Sequence, residues 1–84
     1  MFGTPTAQQT QLVDFLLLPE FSMMAFTASV EPLRAANQLS GKPLYAWRSL
    51  SLTGDPVSAS NGVVVDPAGG LDDAGPGATL FVCA

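Results

Sequence analysis

Histidine is missing from the 84-residue chain altogether, and there is a single cysteine, Cys83. Without histidine no Ser-His or Cys-His pair can form within the chain, so the usual ways of activating a nucleophile are closed to it. One thiol cannot close an internal disulfide, and no cysteine or histidine spacing suits a metal, so the expectation is a reduced, cytoplasmic setting with no metal and no cofactor. Charge is scarce too: 12% of residues are charged, and the three basic ones, Arg34, Lys42 and Arg48, are scattered along a chain of net charge −4. A phosphate backbone finds no basic patch here, and this chain by itself is not expected to bind nucleic acid. Long apolar runs are also lacking. Asp14, Glu20 and Glu31 interrupt the most hydrophobic region, which falls short of the roughly 20 apolar residues of a membrane span. No positive charge precedes it, as a signal peptide would require.

What is present is apolar: 48% of the residues are hydrophobic, and the mean hydropathy is +0.34. A small domain has a large surface for its volume and should be rich in polar residues, so this composition suggests a fragment. It also excludes intrinsic disorder, because the chain carries the apolar surface needed to offset ordering entropy.

Residues 1–11, rich in Thr and Gln and without periodicity, read as a loose leader. Leu12 to Leu18 is a short, nearly continuous apolar run closed by Pro19. Such a run suits a parallel strand covered on both faces, although at this length a buried helix has the same pattern. Ser22 is a good helix N-cap, and Met23, Phe26, Val30, Leu33 and Asn37 then recur at three- and four-residue spacing. This predicts a helix over 23–39 that ends at Gly41 and Pro43, with Pro32 either kinking it or pushing its regular part to start near Glu31. Tyr45 to Leu52 alternates as a half-covered strand. Thr53 to Pro56 is a turn, and 57–60 with 62–65 form two extended pieces around Asn61-Gly62, a pair favouring a type I′ hairpin. Gly69-Gly70 lacks any phosphate-binding context and reads as a flexible connection, followed by a helical turn at Leu71 to Ala74. Thr79 to Ala84 is another buried-strand run. The order of elements gives the opening of an α/β fold with a mostly parallel sheet that stops half built.

Taken singly, the polar residues carry little chemistry. Glu20 and Glu31 are too far apart in sequence to read as an acid and base pair, and neither shows a positioned partner. Cys83 in an apolar strand behaves as a small hydrophobe with a raised pKa. Asp66, Asp72 and Asp73 lack the carbonyl-rich loop spacing of a cation site and read as a solvated turn. Tyr45 and Trp47 have too few basic neighbours to form a nucleic-acid stacking surface. Open α/β sheets bind ligands beyond the carboxyl ends of their strands. The turn Pro19, Glu20, Phe21 and Ser22 is therefore the expected wall of a ligand pocket, with Asn61 and Gly62 as further contributors.

Six segments together resemble a known family: Phe15-Leu-Leu-Leu-Pro-Glu-Phe-Ser22, Val30-Glu-Pro-Leu-Arg-Ala-Ala-Asn37, Tyr45-Ala-Trp-Arg48, Leu50-Ser-Leu-Thr-Gly54, Pro56-Val-Ser-Ala-Ser-Asn-Gly62 and Leu80-Phe-Val-Cys-Ala84. In order and spacing they are similar to the start of the GlxA-type transcriptional regulators. There, a flavodoxin-like domain of the class I glutamine-amidotransferase type (the PfpI/ThiJ branch) precedes an AraC-type helix-turn-helix domain. The resemblance implies that residues 12–84 are the first half of a non-catalytic sensor responding to a small metabolite, often an amine or amino-acid derivative. It also implies that transcription is regulated only through a DNA-binding domain absent from this chain. Enzymatic relatives place a carboxylate shortly after the first strand. That position falls here at Ala25 or Phe26, and their elbow cysteine would lie beyond Ala84, so no catalytic residue is expected. The alternative is a fragment of a PfpI/ThiJ-like hydrolase or stress enzyme, and a third reading is a stand-alone interaction module. With apolar strands short of covering helices, the chain is expected to self-associate.

Overall fold

A strand covered on both faces needs apolar side chains on both, and the first apolar run meets that demand. The computed structural model describes residues 9–84, so most of the expected leader lies outside the described residues. Gln11 already belongs to β1 (Gln11–Leu17), which is therefore set one residue earlier at each end than the apolar pattern suggests. The run of apolar residues marks burial, whereas the strand is bounded by backbone pairing. Pairing starts at Gln11, opposite Tyr45, and the chain leaves the sheet before Pro19.

Helix α1 (Met23–Ser40) follows, then β2 (Tyr45–Ser51), the short β3 (Val57–Ser58) and β4 (Val64–Val65), β5 (Gly69–Gly70), a 3₁₀ turn at Leu71–Asp73, and β6 (Thr79–Cys83). The four longer-range partners form one parallel sheet in the order β5-β2-β1-β6. With β1 between β2 and β6, the sheet begins as flavodoxin-like sheets do, and the α/β expectation holds. Gly69-Gly70 is corrected: the pair is the fourth strand of the sheet, in register with Leu50 and Ser51, not a loose connection.

Helix α1 runs unbroken through Pro32, and its regular part starts at Met23. It begins where Ser22 Oγ accepts the Ala25 N–H at 3.1 Å, and ends where Gly41, at φ 68°, turns its N–H onto the Asn37 carbonyl. Met23, Phe26, Val30 and Leu33 pack on the core formed by Val13, Phe15, Leu17, Phe21, Val57, Ala59 and Cys83. Asn37, the polar end of that stripe, meets the first residue of β2. Its side-chain amide donates to the Tyr45 carbonyl at 2.8 Å and accepts the Tyr45 N–H at 2.9 Å. Phe81 of β6 sits in register with Phe15, their rings stacked 5.6 Å apart.

The hairpin is a second correction. Type I′ needs positive φ at two successive residues, but Asn61 stays on the negative side and only Gly62, at φ 91°, crosses. The Gly62 N–H reaches the Ala59 carbonyl at 2.9 Å, and the Ala59 N–H reaches the Val63 carbonyl at 2.8 Å. This is a three-residue loop: an ordinary turn closed by a left-handed glycine.

On the sheet face away from α1, Asp14 lies beside Arg48 of β2 in register. Asp14 is only 3% exposed, yet every demand of its carboxylate is met. Oδ1 accepts Arg48 Nε at 2.8 Å, and Oδ2 accepts the Gly75 N–H at 2.9 Å. Arg48 also donates to the Asp73 carbonyl, so the pair fastens the connection between β5 and β6 to the sheet. The Arg48 hydrogen bond, helped by the Gly75 N–H, holds the Asp14 carboxyl below its ordinary value of 3.8 despite burial.

Asp14→Asn removes the charge from these bonds and should lower stability by about 2–3 kcal/mol, measurable by urea unfolding. Because the folded pKa is depressed, the unfolded chain binds more protons between the two values. The stability from this pair is therefore complete above the ordinary carboxyl value and is lost as pH falls through the folded one. Unfolding followed from neutral pH to about pH 3 should show that acid limb flattened in Asp14→Asn.

Candidate ligand site at the carboxyl ends of the strands

Where β1 stops, Leu18 to Phe21 make a tight turn, with the Phe21 N–H on the Leu18 carbonyl at 3.0 Å. Pro19 stands at its second position, where its fixed φ fits, and Glu20 at its third, with φ 63°. Those are the requirements of a type II turn, whose third position is normally glycine. Glu20 is the one non-glycine residue at positive φ among the described residues. It is held there by its own N–H, which donates to the Ser58 carbonyl at 2.7 Å, while the Ser60 N–H donates to the Phe21 carbonyl at 2.8 Å. The hairpin thus lies alongside the turn and fixes it.

The end of β2 forms the opposing wall. Ser51 is buried, and its hydroxyl accepts the Gly54 N–H and donates to the Asp55 carbonyl, both at 2.8 Å. Thr53 Oγ1 donates to Asp55 Oδ2 at 3.0 Å. Behind this turn Gly54, at φ 89°, crosses Gly70 so closely that a Cβ on Gly70 would stand 3.1 Å from the Gly54 nitrogen. The turn is therefore pinned from within by a hydroxyl and from behind by backbone.

Between the two walls lies an open cavity of about 400 Å³. Leu17, Pro19 and Glu20 contribute from the end of β1, and Ser51 to Thr53 with Asp55 to Ser58 from the end of β2 and β3. It lies where parallel α/β sheets place ligands. A smaller cavity of about 140 Å³ on the other face borders Asp14 and Arg48, whose polar groups are already spent on each other.

Of the residues expected from sequence, Pro19 and Glu20 line the larger cavity. Phe21 does not reach it: the ring is fully buried, edge-on to Phe26 at 5.9 Å. Ser22 is occupied as the cap of α1, and its N–H donates to the Ala84 carbonyl at 3.1 Å. Asn61 and Gly62 sit at the hairpin tip outside the cavity lining, the Asn61 side chain accepting the Val63 N–H at 3.0 Å. Ser51, Thr53 and Asp55 were not foreseen. The Thr53-Gly-Asp-Pro56 segment reads in sequence as a turn, and the usable signal was that it follows a parallel strand at its carboxyl end. Of the two positions that the resemblance matches to the enzyme carboxylate, Ala25 and Phe26, neither is acidic, and Phe26 packs between Phe15 (5.5 Å) and Phe21. Cys83 is in the core, and burial pushes its thiol up. Among the described residues no group of three or more metal-ligating side chains occurs, and no helix is long and apolar enough to cross a membrane.

No family model matches the chain. Over 79 residues it is 44% identical to the HTH-type transcriptional regulator GbdR of Pseudomonas aeruginosa, an alignment covering 94% of this chain and 22% of that protein. It is 51% identical over 70 residues to the HTH-type transcriptional regulator CdhR of the same species, covering 83% of this chain and 20% of CdhR. Along its whole length it is 39% identical to the HTH-type transcriptional regulator GlxA of Rhizobium meliloti, covering 26% of that protein. Its fold matches the crystal structure of an AraC family transcriptional regulator from Pseudomonas putida with a TM-score of 0.72 and 30% identity, over 88% of this chain and 46% of the other. The chain thus spans about a fifth to a quarter of the curated relatives it matches.

The strain at Glu20 can be tested by substitution. Glu20→Gly suits the left-handed slot and should raise stability by about 0.5–1 kcal/mol after the cost of a freer unfolded chain. Glu20→Val puts a β-branched residue there and should lower it by about 1 kcal/mol or more, both read from thermal unfolding.

Proposed function

The chain is related in sequence and fold to one segment of the GlxA-type, AraC-family transcriptional regulators, and from that premise we propose that residues 12–84 form part of the effector-sensing domain of such a regulator. It acts in the cytoplasm, performs no catalysis, and influences transcription through a DNA-binding domain that these residues do not supply. Its own net charge of −4, without a basic patch, gives it no means of holding duplex DNA.

The observation that carries this reading is the cavity at the carboxyl ends of β1 and β2, which is lined by two carboxylates, Glu20 and Asp55, and by no basic side chain. An effector seated there is a small amine or amino-acid derivative whose positive end meets those carboxylates, while Leu17, Leu52 and Val57 give the apolar contact that such pockets need. A strained residue is kept where the surrounding structure over-determines it and the site uses it. Glu20 fits that description, since a glycine would turn the chain at less cost but bring no charge. Catalysis is disfavoured by the absence of any carboxylate at Ala25 or Phe26 and by the burial of Cys83.

The test is a titration of the protein with a panel of amines and amino acids, followed by backbone amide shifts. Binding with a Kd on the order of 1 mM or tighter, with shifts centred on Pro19–Glu20 and Ser51–Ser58, is the expected result. Glu20→Gln should weaken it several-fold, whereas Asp72→Asn, exposed and off the cavity, should not. A panel with no binder would overturn the sensor reading.

A further inference from the structure

Type I and type II turns carry the chain through the same bend and differ by the rotation of one peptide plane, the one between the second and third positions. In the turn from Leu18 to Phe21 that plane joins Pro19 to Glu20. The fixed φ of proline serves the second position of either type, and the Phe21 N–H on the Leu18 carbonyl, at 3.0 Å, closes either one. Both ends of the turn are anchored elsewhere. The Leu18 N–H donates to the Cys83 carbonyl at 3.0 Å, and the Phe21 ring is fixed in the core. The plane between them is thus able to turn over while its neighbours stay in place.

Two effects of similar size oppose each other across that rotation. In the type II form Glu20 stands at φ 63°, where a side chain is strained, and in the type I form it returns to the negative side. What holds it is the bond from its N–H to the Ser58 carbonyl at 2.7 Å. Rotation breaks that bond, because it carries the N–H to the other side of the turn. Relief of the strain and loss of the hydrogen bond are of comparable weight, so the two forms lie close in free energy. The Ser60 N–H on the Phe21 carbonyl, at 2.8 Å, lies outside the rotating plane and survives. Of these two backbone bonds joining turn and hairpin, one is switchable and the other permanent.

We propose that the Pro19–Glu20 peptide is a two-state latch, closed in the type II form on the Ser58 carbonyl and open in the type I form, where the hairpin β3–β4 is released from one of its two backbone ties to the turn. Glu20 and Ser58, the two ends of the latch, both line the cavity, so an occupant lies directly against it. The latch goes beyond the sensor reading and operates in the free protein.

The experiment is relaxation dispersion on the backbone amides of the free protein, read at Phe21, Ser58 and Ala59, which no variant alters. Exchange on the microsecond-to-millisecond timescale, with a minor state of a few per cent, is expected in the unaltered chain. Glu20→Gly, at ease at positive φ, should lower that population about fivefold or more. Glu20→Asn, which tolerates the left-handed region, should fall between the two, and Glu20→Val should raise the population. The NOE from the Pro19 α-proton to the amide that follows it, strong in a type II turn, should weaken in Glu20→Val. The glycine and asparagine variants add no strain, so the order is readable even if valine unfolds the chain. A residue that only supports the fold would change stability without producing this order. Flat profiles in the unaltered chain, or exchange undiminished in Glu20→Gly, overturn the latch. No ligand takes part, so either result leaves the effector reading to its own titration.

Discussion

The position of β1 is the constraint on which everything else depends. It is paired in parallel on both sides, with β2 and β6, and from Val13 to Leu17 it is buried on both faces. A strand so enclosed must leave the sheet abruptly, because its neighbours occupy both flanks and the helix must return over one face. Pro19 and Glu20 accomplish that departure, and the turn they make becomes a cavity wall because the hairpin β3–β4 is hydrogen-bonded along it. The site is thus a by-product of the way a central strand ends.

The same constraint explains the one charge in β1. Asp14 faces away from α1, on the face that, among the described residues, is crossed by the glycine-rich connection and its 3₁₀ turn before β6. A connection poor in side chains cannot be held by apolar packing, so it is held by a carboxylate that gathers an arginine and a backbone N–H. One face is held by aromatic and aliphatic packing, and the other by the buried pair Leu16 and Leu50 together with this polar cluster.

Much of this was legible in the residues. The periodic stripe from Met23 to Leu33, the cap at Ser22, the stop at Gly41 and the two apolar strands follow from patterns that act locally, but β6, read as a buried strand, ends the described sheet and is exposed from Thr79 to Val82. The parts that were not legible depend on partners far along the chain. Gly69-Gly70 carries no strand signal, since glycine has no side chain to show a period, yet it pairs with β2, and a side chain at Gly70 would press on the Gly54 backbone. Asn61-Gly62 suggested the two-residue turn, but the Ala59–Val63 pair set a loop of three and kept Asn61 on the ordinary side of φ. Pro19 and Glu20, expected from their place beside a recognisable strand end, line the cavity. Phe21 and Ser22 share that turn but serve packing and capping, a division that sequence proximity hides. Asp55 lies 35 residues from Glu20 in the chain, and only the parallel pairing of β1 with β2 brings their turns together.

Asn37 gives the helix a surrogate peptide group. By taking both the N–H and the carbonyl of Tyr45 it binds α1 to β2 as a neighbouring strand would, fixing the rotation of the helix and its height on the sheet at once. The opposite end of the helix, where Ser22 meets the Leu18 to Phe21 turn, lies about 20 Å away at 1.5 Å per residue. The helix is in effect a ruler read from both ends, set by Asn37 at one and by the Ser22 N–H on the Ala84 carbonyl at the other. A residue inserted between Asn37 and Tyr45 would set these two anchors against each other, and one of them adjoins the turn that walls the cavity.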